Sequence, residues 1–209
     1  MDYELRDTPE EWPIESTEQL AVGQVTSYVC DRVQMVDGTT ANRQYIVHPG
    51  AVAVLVLDDQ DRILTLRQYR HPVRRVMVEL PAGLLDKPGE HPLEAAKREL
   101  YEEAHLQAGD WRVLIDYYNS AGSSDEALRI FVAREPVAAD GARYAGEGEE
   151  AGIVVGWVPR TELLAAVMAG EVGTASIVAS VCALTVALAE PGGWERLRSA
   201  DAPWDARPF

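Results

Sequence analysis

Apolar and polar positions change period several times along this chain, and each change marks an element. Residues 1–15 are polar and proline-containing and predict an arm without regular structure. From Ala21 to Val36 the alternation is that of a strand, and Arg43 to His48 reads as a second, with an Asp37-Gly38 turn between them. Ala51 to Leu57 is a near-continuous apolar run followed by Asp58-Asp59-Gln60-Asp61 and then Ile63–Leu66, a hairpin signal around a buried strand. Met77–Leu80 leads into the loop before the next helix. Pro92–Ala104 switches to helical spacing, with Leu93, Ala96, Leu100 and Ala104 along one stripe and Pro92 in the first turn, where its missing N–H costs nothing. Trp111–Tyr118, Leu128–Ala133 and Ile153–Val158 read as strands, and Thr161–Ala169 and Ser176–Ala189 as helices. The stretch from Pro191 to Phe209 has Pro, Trp and Gly but no period. Strands and helices interleave irregularly, which predicts an α/β fold: a mixed sheet with helices on both faces.

The helix Pro92–Ala104 carries unusual charge. Arg98-Glu99-Leu100-Tyr101-Glu102-Glu103 holds three carboxylates in five consecutive positions. At 100° per residue, Glu99, Glu102 and Glu103 fall within an arc of about 100°. A solvated surface can look like this, but like charges on one face repel unless a cation sits among them. Hard oxygen donors in that number suit Mg²⁺ or Mn²⁺. Leu80-Pro81-Ala82-Gly83 and a Pro88-Gly89 loop lead into the helix, so backbone and carboxylate oxygens can meet at one ion. Arg98 lies four residues before Glu102 and can hold that carboxylate by a charge-assisted bond.

These residues resemble the Nudix box, whose pattern is Gly-x5-Glu-x7-Arg-Glu-U-x-Glu-Glu-x-Gly-U with U aliphatic. Gly83, Glu90, Arg98, Glu99, Leu100, Glu102, Glu103 and Leu106 match it. Two positions depart: six residues separate Gly83 from Glu90, and His105 stands in place of glycine. A surface loop tolerates the extra residue. Histidine is among the residues enriched in the left-handed region that the helix-ending glycine supplies, at a cost of about 1 kcal/mol. Gln68-Tyr69-Arg70, Glu79-Leu80-Pro81-Ala82-Gly83, Ala121-Gly122-Ser123-Ser124-Asp125-Glu126 and an acidic loop before Gly156-Trp157 look like the ADP-ribose pyrophosphatase branch, in its actinobacterial form. Ala121 replaces the proline of that branch's Pro-Gly pair.

The resemblance implies a Nudix-like α/β/α sandwich with an N-terminal strand-rich extension. Residues 1–46 would form the arm and extension, used for dimerisation and substrate contact; 47–190 would be the catalytic domain and 191–209 a C-terminal tail. It implies metal binding by Glu99, Glu103 and the Ala82 carbonyl, with Glu102 as a further ligand or support. Arg98 would orient the carboxylates. Glu150 would be the general base, on the loop Glu147-Gly148-Glu149-Glu150, with Glu149 the reserve. Arg70 would contact phosphate or serve in a surface salt bridge. Arg43 and Gln44 would hold adenine and ribose, and Ser124 and Glu126 would shape the loop over the terminal ribose or simply turn the chain. The reaction implied is Mg²⁺-dependent hydrolysis of a nucleoside diphosphate sugar, ADP-ribose first, to AMP and ribose 5-phosphate. GDP-mannose, NADH or a diadenosine polyphosphate are alternatives within the class, and a non-catalytic nucleotide-sugar sensor is the alternative outside it. A homodimer is the family expectation.

Composition narrows the partners. With 47% apolar and 25% charged residues, the 209-residue chain is an ordinary globular protein. A formal charge of −15 argues against nucleic acid, which needs a basic surface. The longest apolar run, Ile177–Ala189, is shorter than the ~20 residues that cross a bilayer. The acidic N-terminus lacks an apolar signal run, so the expected location is the cytoplasm, with Cys30 and Cys182 as separate thiols. His48, His71, His91 and His105 have no metal-ligand spacing, and no Gly-x-Ser-x-Gly elbow or Walker loop appears.

Overall fold

The computed structural model describes residues 4–142 and 152–206. They fall into two compact units. One runs up to His48 and includes Ser120–Glu126; the other comprises Pro49–Asn119 and the described residues from Ala127 onward.

The first unit is an antiparallel sheet of β1 (Ile14–Val22), β2 (Ser27–Gln34) and β3 (Thr40–Val47), in that order. The stretch expected as one strand from Ala21 to Val36 is broken by a turn in which Gly23 N–H bonds Thr26 O at 2.8 Å. What precedes it is a nine-residue strand that begins at Ile14, at the end of the expected arm, whose residues 4–13 form neither helix nor strand. β1 is exposed at every position, so it has no apolar face to betray it in the sequence. The segment Ser120–Glu126 is fastened to β3: Ile46 N–H bonds Ser123 O at 2.9 Å, Asp125 N–H bonds Ile46 O at 3.1 Å, and His48 N–H bonds Asp125 Oδ1 at 2.7 Å.

The second unit contains β4 (Ala51–Val56), β5 (Arg62–Arg70), β6 (Arg75–Glu79), β7 (Ala82–Leu84), α1 (Pro92–Ala104), β8 (Leu106–Gln107), β9 (Asp110–Tyr118), β10 (Ala127–Arg134), β11 (Val137–Ala138), β12 (Val154–Pro159), α2 (Arg160–Met168), α3 (Ala175–Ala189) and β13 (Arg198–Ser199). Its main sheet has the order β13-β9-β10-β4-β7, with β4 and β10 parallel and the other pairs antiparallel. A second sheet has the order β12-β5-β6. β4 explains its own composition. Val52, Val54 and Val56 pack with Ala95, Ala96 and Leu100 of α1, whereas Ala51, Ala53 and Leu55 pack with Leu163 of α2 and Ile177, Val181 and Leu184 of α3. Both faces are covered, so every residue of the strand is apolar. This is the expected α/β/α sandwich.

The aperiodic C-terminal stretch is firmly packed through a residue of β10. Arg129 is fully buried. It donates to both carboxylate oxygens of Asp116 at 2.8 and 2.9 Å, and to the carbonyls of Ala202 and Pro203 at 2.7 and 2.9 Å. Its guanidinium carbon lies 4.9 Å from the ring centroid of Trp204, itself buried. A buried cation is tolerated only when satisfied in this way.

Candidate active site

α1 starts at an N-cap that bonds through an imidazole. His91 is extended (φ −69°, ψ 140°), and its Nδ1 accepts the N–H of Leu93 at 3.2 Å. The helix ends at His105, whose φ of 55° and ψ of 42° put it in the left-handed region. Its N–H closes the last turn on Leu100 O and Tyr101 O, so histidine takes the conformation that the box glycine supplies.

Arg98 is the hub between these ends. Nε and Nη2 grip Glu90 Oε1 and Oε2, each at 2.9 Å. Nη1 donates to Glu99 Oε1 and, at 3.0 Å, to Glu102 Oε2. The Glu90 carboxylate raises the Arg98 pKa further above its ordinary value, more than burial lowers it. In return the Arg98 hydrogen bonds hold the Glu90 carboxyl below the usual carboxylate range. Glu103 turns toward the preceding strand, where its Oε2 accepts the N–H of Ala82 at 2.9 Å.

Gly83 completes the arrangement by absence of a side chain. A Cβ at this position would stand 1.9 Å from Glu99 Oε1 and 2.1 Å from its Cδ. The side chain of Glu99 therefore lies flat against the backbone of β7, and only glycine lets it. Three carboxylates, on Glu90, Glu99 and Glu102, meet one guanidinium, which offsets a single charge, and Glu103 adds a fourth on the same helix. The side chains of Glu90, Glu99 and Arg98 are no more than 20% exposed, so water screens the excess negative charge poorly. Clustered hard oxygens beside a backbone strand fit a divalent cation such as Mg²⁺. Glu99 and Glu102 are drawn onto Arg98 and Glu103 onto Ala82 N–H, so no ready-made cage of acidic side chains appears among the described residues.

Comparison with known proteins agrees with this geometry. The NUDIX domain matches residues 47–178. The chain belongs to the Nudix family. It is 38% identical over 197 residues to an ADP-ribose pyrophosphatase of Mycobacterium tuberculosis, covering 92% of this chain and 91% of that one. It is 39% identical over 118 residues to an ADP-ribose pyrophosphatase of Bacillus subtilis, covering 56% of this chain and 63% of the relative. A crystal structure of an ADP compounds hydrolase superimposes with a TM-score of 0.73 over 90% of this chain and 99% of its own, at 18% identity, and thus shares the fold.

The Nudix box residues Ala82, Gly83, Glu90, Arg98, Glu99, Glu102 and Glu103 all belong to the second unit. So does Arg70, at the end of β5, which is paired with Glu79: Nε lies 2.9 Å from Oε1 and Nη2 2.6 Å from Oε2. Arg43, Gln44, Ser124 and Glu126 belong to the first unit. Arg43 caps Asn42 O at 3.0 Å and Gln44 Oε1 lies 3.5 Å from Tyr28 Oη, both on an exposed stretch of β3. Ser124 Oγ accepts the N–H of Glu126 at 3.1 Å, and Glu126 Oε1 lies 3.8 Å from His48 Nε2. Glu149 and Glu150 lie outside the described residues. Sequence reasoning assigned no role to Glu79 or to the His91 cap. The box pattern already contained Glu90, but it lies before the helix and folds back onto Arg98, so no helical spacing signals their pairing.

Proposed function

We propose that this Nudix pyrophosphohydrolase is Mg²⁺-dependent, with Mn²⁺ able to substitute, and hydrolyses ADP-ribose to AMP and ribose 5-phosphate. The observation that carries this reading is the carboxylate cluster around Arg98, laid against Ala82 and Gly83. Glu99, Glu103 and the Ala82 carbonyl hold the metal, with Glu102 as a further ligand or support. The bound metal supplies neutralisation of the diphosphate oxygens and a water acidic enough to attack at neutral pH. Arg98 orients Glu99 and Glu102 while Glu90 fixes Arg98 from the other side. Glu150, with Glu149 in reserve, accepts the proton of the attacking water. A P–O bond would form from water as the bond from the same phosphorus to the bridging oxygen breaks, that oxygen leaving with the other phosphate.

Arg70, held rigid by Glu79, meets a phosphoryl oxygen with its planar fork. Arg43 and Gln44 hold adenine and ribose, while Ser124 and Glu126 shape the loop over the terminal ribose. Residues 1–46 serve dimerisation and substrate contact, 47–190 are the catalytic domain and 191–209 the tail of a cytoplasmic homodimer. No helix of the described residues is long and apolar enough to cross a membrane.

A phosphatase-coupled phosphate-release assay on ADP-ribose, GDP-mannose, NADH and diadenosine substrates tests the reading. ADP-ribose should give the highest kcat/KM. Equal or better turnover of any other member would overturn that choice of substrate.

A further inference from the structure

We propose that His91 is a positioning residue for the metal site: its neutral imidazole caps α1 and thereby keeps Glu90 on Arg98. The inference rests on the hydrolase reading above and deepens it. Local chemistry makes the cap. A residue before proline is disfavoured from the helical region, and His91, which precedes Pro92, is extended. Its carbonyl accepts the N–H groups of Glu94 and Ala95 at 2.9 and 3.0 Å. Pro92 has no N–H, so the first turn is left with the N–H of Leu93, and the ring takes it.

A peptide N–H can only donate, so Nδ1 is unprotonated and the ring proton sits on Nε2. Ser, Thr, Asn and Asp, the usual caps, keep their acceptor around neutral pH, whereas a histidine cap loses it on protonation. A cation at a helix N-terminus is also unfavourable. The charged neighbours along the chain are Lys87 in the preceding loop, Glu90, and Glu94 in the first turn with Lys97 bonded to it. Asp201 comes from the C-terminal stretch, where Ala200 and Ala202 pack against the core that includes Ala95, Ala96 and Leu100 of α1. A hydrogen bond from Ser199 holds the Asp201 carboxyl below the usual carboxylate range, and the nearby His91 adds to it. The cap reaches the metal site through Glu90. Glu90 precedes the helix and Arg98 lies within it, so their bidentate pair, with both bonds at 2.9 Å, closes over the first turn. Fraying that turn releases Glu90. Arg98, which also donates to Glu99 and Glu102, then loses its anchor. Protonation of His91 therefore loosens the metal-binding carboxylates without altering any of them.

Mn²⁺ binding followed by electron paramagnetic resonance tests this in wild type, His91→Asn and His91→Ala, at about pH 8 and about pH 5.5, on either side of the imidazole range. Asparagine is among the best caps and does not titrate. At the higher pH, wild type and His91→Asn should bind alike and His91→Ala about fivefold more weakly, the factor that a helix cap of ordinary strength is worth. At the lower pH, wild type should lose about fivefold relative to His91→Asn and match His91→Ala. Amide exchange of Leu93 in the metal-free protein should follow the same pattern. A ratio of wild type to His91→Asn that does not change with pH would overturn the proposal. So would a His91→Ala protein that melts lower yet binds Mn²⁺ as wild type does, since the cap would then serve folding alone. The expected pattern in a protein that hydrolyses no nucleoside diphosphate sugar would support the cap and overturn the hydrolase reading instead.

Discussion

Gly83→Ala should separate catalysis from folding. The new Cβ would stand 1.9 Å from Glu99 Oε1 and 2.1 Å from Cδ, so Glu99 must leave its position against β7. The backbone at Gly83 is outside the left-handed region, so alanine brings no conformational strain of its own. Losing the Arg98–Glu99 bond costs about 1.5–3 kcal/mol, since both groups are charged. Replacing glycine in a compatible conformation returns about 0.4–1 kcal/mol through the unfolded chain. The net change is a destabilisation of about 1–2 kcal/mol, or about 2–8 °C in a chain of this size. The functional loss should be much larger. Disturbing even a supporting group of a metal site costs about 10–100-fold, and here the proposed metal ligand itself moves, so kcat/KM for ADP-ribose should fall by 100-fold or more. Thermal unfolding followed by circular dichroism, Mn²⁺ titration by electron paramagnetic resonance and steady-state kinetics on the same preparation make the comparison. A folded Gly83→Ala enzyme with kcat/KM within threefold of wild type would refute the placement of Glu99.

Other substitutions probe separate parts of the structure. Arg129→Leu removes a buried cation and leaves the carbonyls of Ala202 and Pro203 unpaired, while Asp116 keeps Arg198; chemical denaturation should show a loss of about 2–4 kcal/mol. A loss below 1 kcal/mol would mean that the C-terminal stretch is not anchored as described. His105→Gly relieves a left-handed non-glycine residue and should raise stability by about 1 kcal/mol, or about 2–4 °C, with kcat unchanged. A lower melting temperature would show that contacts of the imidazole outweigh the strain. Glu90 has a folded-state pKa below its ordinary value of 4.5, so its contribution to stability is fully present above that value and is lost as pH falls through the lowered one. Stability measured between neutral pH and about pH 3 should therefore fall less steeply in Glu90→Gln than in wild type. Parallel curves would remove Glu90 from the network.

Local features of this fold were plain in the sequence, and long-range ones were not. The box helix was expected at Pro92–Ala104 and ends there, because Pro92, the apolar stripe and the capping position are all local signals. β4 announced itself by being apolar throughout, a consequence of burial on both faces. The Arg98–Glu102 bond followed from helical spacing alone. β1 gave no such signal, since a strand exposed on every side needs no alternation. The attachment of Ser120–Glu126 to β3 is made by two main-chain bonds between segments far apart in sequence, which leave no trace in residue type, beside the bond from His48 N–H to the Asp125 carboxylate. The same holds for Arg129, whose partners Ala202 and Pro203 contribute only carbonyls. Arg70 could have been read as a phosphate contact or as a salt bridge; it makes the bridge to Glu79, and a guanidinium fixed in this way is better organised for phosphate as well.

Mg²⁺ dependence of ADP-ribose hydrolysis in wild type and in Glu99→Gln is the most direct test of the site. Wild type should release AMP and ribose 5-phosphate with a saturable Mg²⁺ requirement. Glu99→Gln should shift that requirement upward by at least tenfold and lower kcat, while melting within a few degrees of wild type. Wild-type protein that turns over no nucleoside diphosphate sugar in either Mg²⁺ or Mn²⁺, or a Glu99→Gln enzyme with an unaltered metal dependence, would contradict a metal-assisted pyrophosphohydrolase built on this helix.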